Sequence, residues 1–223
     1  MRDQFKNQNK KLNLSILVNR PESMTFILLI LALIGASMLS EYFLDVNYIL
    51  RSFTLTAELS IAALVLTMVI ISGEIDLSAA SNIALSACVF AYVQASGVPI
   101  SLAILAGIFA GFLMGGLNAI LVIRYQLPSI IVTIGTLIFY RGLAQVIAGD
   151  KSIRVPEWFI GINTKLLLGI PLPVIIFVIT AILLGFILGT TIYGRQIYQV
   201  GTNNNAARHA GIKSNKIKFG LFI

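Results

Sequence analysis

Six apolar stretches divide this chain, each bounded by charged or turn-forming residues. A membrane-spanning helix needs about 20 mostly apolar residues. The pattern predicts spans over about 23–41, 55–72, 77–95, 100–123, 128–148 and 170–193. Glu58 interrupts the second stretch early. No charge falls between Asp76 and Arg124, a run too long for one span. The turn signal Ser96-Gly97-Val98-Pro99 divides it into the third and fourth. Pro128 suits the first turn of the fifth, and Gly169-Ile170-Pro171-Leu172-Pro173 precedes the sixth. All six read as helices, because a β-barrel would show short alternating segments.

Residues 1–22 form a polar tail with Arg2, Lys6, Lys10, Lys11 and Arg20. The apolar run that follows is longer than the core of a signal peptide, so a first span is predicted with its basic tail inside. Residues 149–169 become the longest external loop, where Trp158, Phe159 and Ile160 suit an interfacial hairpin or short helix. The chain ends Lys218-Phe219-Gly220-Leu221-Phe222-Ile223, which reads as the opening of a seventh span cut short. The expectation is therefore a membrane domain over 23–223 that is incomplete after its sixth span.

Composition agrees. The chain is 57% hydrophobic and 11% charged, with mean hydropathy +0.92; soluble domains carry about 25% charged residues. With the tail inside, eleven Lys and Arg fall on the cytoplasmic side and four outside (Arg51, Lys151, Arg154, Lys165). That asymmetry fits the positive-inside rule. The charge of +7 is spread over tail and loops, with no soluble basic face for nucleic acid. Cys88 is alone in an apolar run, so no disulfide forms within the chain. His209 is the only histidine, which leaves no histidine metal cluster and no Ser-His-Asp triad. Gly149-Asp150-Lys151-Ser152 only mimics the end of a phosphate-binding loop, since Lys151 does not follow a glycine. No ATP hydrolysis is expected of this chain, and no cofactor is implied.

Three motifs carry the candidate chemistry. The first joins the second and third spans: Ser72-Gly73-Glu74-Ile75-Asp76-Leu77-Ser78-Ala79-Ala80-Ser81. Asp76, Ser78 and Ser81 can satisfy the free amides of the next helix's first turn. A charged non-helical turn at membrane depth must also face protein or water. The second motif is Leu117-Asn118-Ala119, then Pro128 to Leu137, then Tyr140-Arg141-Gly142. Thr133, Gly135 and Thr136 put hydroxyls and bare backbone in mid-membrane. The threonines can bond back to their own helix or line a polar path. Arg141 there needs a partner or water, with Glu58 and Asp76 as candidates. The third motif spans residues 194–212: a basic loop in which Asn205 can N-cap a short helix through Ala206, Ala207, Arg208 and His209, ended by Gly211.

Small residues recur every four positions at Ala103, Gly107, Gly111, Gly115 and Ala119, and again at Ala181, Gly185 and Gly189. Such stripes predict close helix packing.

The first motif resembles the GGIDLSVGS sequence of ribose-type ABC sugar permeases, matching at Gly73, Ile75, Asp76, Leu77, Ser78 and Ser81. Glu74, Ala79 and Ala80 depart from the commonest form. The second is similar to that family's NG…P.fIvTLGT…yRGl pattern. The third looks like its cytoplasmic coupling loop at Gly194, Arg195, Gly201, Asn203, Ala206, Ala207, Gly211 and Ile212. Asn204 and Asn205 stand where the family usually has acidic residues.

The resemblance implies an all-α, type II ABC-importer-like permease fold. It has about six transmembrane helices plus a truncated seventh, in a bacterial inner membrane with the N-terminus cytoplasmic. It implies import of a small neutral sugar, namely a ribose-type pentose, a deoxy sugar or a sugar-like signal. Gly201, Asn205, Ala206, Ala207, Arg208 and Gly211 would couple to an ABC ATPase through a loop over 195–216. Gly73, Asp76, Ser78, Ser81, Asn118, Thr133, Gly135, Thr136 and Arg141 would line the translocation path or shape its membrane turn. The implied partners are that ATPase, a second permease chain (the same or a related one), an extracytoplasmic sugar-binding protein and the lipid bilayer. The alternative reading is an ion-coupled secondary transporter using Glu58, Glu74 and Asp76 as relay groups. An intramembrane enzyme is a third class, and it lacks a paired nucleophile and base.

Overall fold

A backbone inside hydrocarbon must satisfy its own hydrogen bonds, and long apolar segments do so as helices. The computed structural model describes residues 21–149, 161, 166, 167 and 169–223. Its helices are α1 (Pro21–Leu39), α2 (Val46–Ile71), α3 (Ala79–Ala95), α4 (Ile100–Ala119), α5 (Ser129–Ala148), α6 (Leu172–Thr190), α7 (Ile192–Thr202), α8 (Asn204–His209) and α9 (Ser214–Phe222). A π-helical turn over Ile120–Arg124 prolongs α4. Two-residue strands β1 (Leu166–Leu167) and β2 (Ile170–Pro171) pair antiparallel. Nearly all of the external loop expected over 149–169 lies outside the described residues, as do Trp158, Phe159 and Ile160.

Each predicted span overlaps one of α1 to α6. Among the described residues, four helices are long and apolar enough to cross a membrane: α2, α4 with its π turn, α5 and α6. The apolar parts of α1 and α3 are shorter. α2 starts nine residues before the predicted span, because Asp45 Oδ1 accepts the Tyr48 amide at 2.9 Å and the helix runs on through Arg51. Helix continuity here ignores the dip in hydropathy that set the predicted boundary.

The described residues up to Ser52 form one compact unit and those from Phe53 another. In the first, the apolar side chains of α1 are mostly exposed. In the second, α3, α4 and α5 bury Leu85, Met114, Tyr140 and Ala144 together. The stripe on α4 explains how closely the helices approach. A Cβ on Gly107 would sit 3.1 Å from Phe90 Cβ, and one on Gly111 would sit 3.1 Å from Ser86 Oγ. The glycines of the similar stripe on α6 meet nothing among the described residues. α6 buries no residue, and Gly185 and Gly189 face open space. The expected close packing is thus found for the first stripe and not, among the described residues, for the second.

Candidate functional site: a membrane turn and a basic helical segment

α2 ends where Ser72 turns its hydroxyl back to the Val69 carbonyl at 2.7 Å and Gly73 takes φ +85. That left-handed conformation is cheap only for glycine. Residues 74–78 are non-helical, and their backbone finds partners on α5. The Ile75 amide donates to Ser129 Oγ at 3.2 Å. Thr133 Oγ1 donates to the Ser129 carbonyl at 2.8 Å and lies 3.3 Å from the Ile75 carbonyl.

Asp76 Oδ1 accepts both the amide (2.8 Å) and the hydroxyl (2.7 Å) of Ser78. Ser78 Oγ in turn accepts from Asn118 Nδ2 at 2.7 Å. Tyr140 Oη donates to the Met114 carbonyl at 2.9 Å and lies 3.4 Å from Asn118 Oδ1. A chain of donors therefore runs from α5 through α4 to the turn and ends on a carboxylate. Ser78, Asn118 and Thr133 are wholly buried, and Tyr140 nearly so. Buried polar groups are stable only when paired, and each of these four has a partner.

The sequence expectations need correction at two places here. Ser78 and Ser81 do not cap α3: Ser78 makes no side-chain cap bond, and Ser81 Oγ donates to the Ser78 carbonyl at 2.7 Å. Asp76 alone serves an amide. Arg141 pairs with neither Glu58 nor Asp76, and it is exposed, as is Gly135. Thr136 bonds back to the Val132 carbonyl at 3.1 Å. Tyr140 is the member that sequence reasoning left out, although it stands in the Tyr140-Arg141-Gly142 motif. Its aromatic ring reads as packing until its hydroxyl is located.

The second assembly follows α6. Thr191 breaks that helix in an extended conformation, and its side chain accepts the Gly194 amide at 3.1 Å. A Cβ on Gly194 would run into the Ile187 and Leu188 carbonyls, so the first turn of α7 lies beside the last turn of α6. α7 is amphipathic, with Gly194, Ile197 and Val200 buried and Arg195, Tyr198 and Gln199 exposed. Ile197 and Val200 form a core with Met68, Ala207 and Ile217. Gly201 presses on the end of α2, where a Cβ would overlap the Ile71 carbonyl. Its place in the motif is explained by that backbone contact.

Asn203 caps α8, not Asn205: its Oδ1 accepts the Ala206 amide at 3.0 Å. Gly211 ends α8 as expected, at φ +83, with the Gly211 amide on the Arg208 carbonyl and the Ile212 amide on that of Ala207. The cap register decides which alanine faces out. Ala206 is exposed, whereas Ala207 is 4% exposed in the core. Ala207, expected to offer a docking surface, is a packing residue instead. Arg208 donates to Asn215 Oδ1 at 3.1 Å.

The two assemblies meet. Lys218 on α9 forms an ion pair with Glu74 of the membrane turn, at 2.5 Å, with both side chains largely buried. A polar cavity of about 330 Å³ opens beside the pair, lined in part by Gln126, Ser129, Asn204 and Arg208. No sequence signal joined positions 144 residues apart. Among the described residues no cluster of His, Cys, Asp or Glu could hold a metal ion.

Comparison with known proteins decides the family. Residues 48–223 match the model described as branched-chain amino acid transport system / permease component. The chain belongs to that permease family. It is 33% identical over 206 residues to the ribose import permease protein of Haemophilus influenzae, covering 90% of this chain and 64% of that protein. It is 30% identical over 208 residues to the autoinducer 2 import system permease protein of an Enterobacter species, with the same two coverages. The corresponding Escherichia coli protein is 32% identical over 202 residues, covering 87% of this chain and 61% of its own length. The chain thus spans under two thirds of the length of these relatives. No solved structure matches it. Family and apolar helices together make this permease chain an all-α, multi-pass protein of the bacterial inner membrane.

Proposed function

We propose that this permease chain is a membrane subunit of an ATP-driven importer for a small neutral sugar: a ribose-type pentose, a deoxy sugar or a sugar-like signal. The observation that carries the reading is the likeness over 90% of the chain to permeases named for import of ribose and of autoinducer 2. In this reading the tail and residues 192–216 face the cytoplasm. A separate ABC ATPase docks on the exposed side of α7 and α8, at Ala206, Arg208 and their neighbours. A second permease chain completes the path, and an extracytoplasmic binding protein delivers the sugar. Nucleotide-driven movement of α7 to α9 reaches the membrane turn through the Gly201–Ile71 contact and the Glu74–Lys218 pair. The Asp76–Ser78–Asn118–Tyr140 chain then holds that turn against α4 and α5.

An ion-coupled relay is less well supported, since Glu74 is already matched by Lys218 and Glu58 is exposed on α2.

The test is purification of the tagged full chain from its native membranes. A P-loop ATPase should come with it in stoichiometric amount. Ala206→Glu, on the exposed side, should reduce its recovery about tenfold while membrane insertion persists. Ala207→Glu is the fold control and should lower the amount of folded chain. Absence of any ATPase with the natural chain, or full recovery with Ala206→Glu, would overturn the reading.

A further inference from the structure

Residues 191–223 carry Arg195, Arg208, Lys213, Lys216 and Lys218 and no Asp or Glu. Among the described residues only Lys218 of these five meets a carboxylate. Arg195 donates to the Thr190 carbonyl at 3.1 Å and Arg208 to Asn215, both neutral acceptors. Lys213 and Lys216 are exposed at the start of α9. They share a groove of about 390 Å³ with Tyr193, Gln196, Gly211 and Ile217. The groove is large enough for a phosphate and its ester arms, and no carboxylate lines it.

Its depth follows from the fold. α6 is long and apolar enough to cross a membrane, so its end at Thr190 marks the edge of the hydrocarbon. Tyr193 and Gln196 lie in the next two turns, and Gly194 folds the first of them back against Ile187 and Leu188. The groove therefore stands at the level of the lipid headgroups. Tyr193 suits that level, with a half-exposed ring and a hydroxyl that donates to the Ile217 carbonyl at 3.4 Å. Lysines reach headgroup phosphates from there, and basic pockets beside spanning helices hold anionic lipids.

We propose that this groove is a binding site for the phosphate-bearing headgroup of an anionic phospholipid in the leaflet where α6 ends. Lys213 and Lys216 supply the charge, and Gln196 supplies a neutral donor. Each lysine contributes about fivefold to occupancy at low salt, less as salt screens it. The site is independent of the importer reading, and it would stand whatever the permease carries. An acidic protein surface could also meet two lysines, but a protein partner has no need of a groove at headgroup depth.

The experiment is residue-resolved acetylation of the full chain in nanodiscs, read by peptide mass spectrometry. Discs of phosphatidylcholine alone are compared with discs in which about one quarter is phosphatidylglycerol. Phosphatidylglycerol should slow modification of Lys213 and Lys216 by about tenfold, and of Lys10 and Lys11 by less than about twofold. Lys216→Gln should abolish most of the protection at Lys213. Equal slowing at every lysine would show a diffuse surface potential and overturn the site. Protection by inorganic phosphate in phosphatidylcholine discs, equal to that from phosphatidylglycerol, would overturn the lipid as its ligand. Protection seen only in native membranes, and lost when peripheral proteins are stripped by salt, would assign the groove to a protein instead.

Discussion

Around Ser78 the polar side chains end on one another: Tyr140 reaches Met114 and Asn118, Asn118 reaches Ser78, and Ser78 reaches Asp76. Along 192–222 the cations mostly end on neutral oxygens or in the open, with Lys218 as the exception. The first region is closed by groups from two helices and a turn. The second packs one apolar side inward, at Ile197, Val200, Ala207 and Ile217, and leaves its charges outside. Closed networks of short hydrogen bonds fix a geometry. An exposed basic surface has a place in the energetics only when something anionic or polar meets it. The difference separates a part whose polar groups are closed on one another from a part whose charged side is left open, and contacts at Gly201 and Lys218 join them.

The largest effect is expected at the first of these contacts. Gly201→Val places a branched side chain where the Ile71 carbonyl stands. Neither backbone can withdraw without moving α2 or α7. The cost should be about 3 kcal/mol or more. Size-exclusion chromatography of the full chain in detergent should show loss of the monodisperse peak. A chain as stable as the natural one would mean that the two regions are not in backbone contact.

The closed network should yield less. Asn118→Leu removes the donor to Ser78 and the weaker acceptor for Tyr140. Ser78 keeps Asp76, and Tyr140 keeps the Met114 carbonyl. The loss should therefore be about 1–2 kcal/mol, short of the full penalty for orphaned groups. Thermal unfolding in detergent reads it directly. Tyr140→Phe should cost less than Asn118→Leu, and the reverse order would place the centre of the network on the wrong residue.

How much of this was legible in the sequence depended on the length scale of the cause. Apolar runs set the helices, so each predicted span overlaps a helix. Boundaries moved where a local bond outweighed hydropathy, as with Asp45 capping the start of α2. Three consecutive asparagines left the cap of α8 open by two positions. That small shift in register carried Ala207 from the surface to the core. The two small-residue stripes looked alike, yet only the one on α4 found a neighbour, because a stripe permits close approach without naming what approaches. The motifs singled out Asp76, Ser78, Asn118 and Thr133, and each is hydrogen-bonded in the structure. They could not say that these residues bond to one another, since that depends on how α3, α4 and α5 cross. Lys218 carried no motif at all.

The smallest effect is expected at the pair that joins the regions. Glu74 and Lys218 are 13% and 14% exposed and border the polar cavity of about 330 Å³, so each is solvated in part. Removing one charge leaves the other beside that cavity rather than in a dry core. Lys218→Met or Glu74→Gln alone should therefore cost about 1 kcal/mol, below the cost of breaking a fully buried pair. The double replacement should recover most of that loss, because desolvation of two ions largely offsets their attraction. A double-mutant cycle on thermal unfolding isolates the coupling. Strict additivity of the two single losses would mean that the charges do not sense each other, and the two regions would then be joined by contacts such as Gly201 on Ile71 and Phe222 on Gly115.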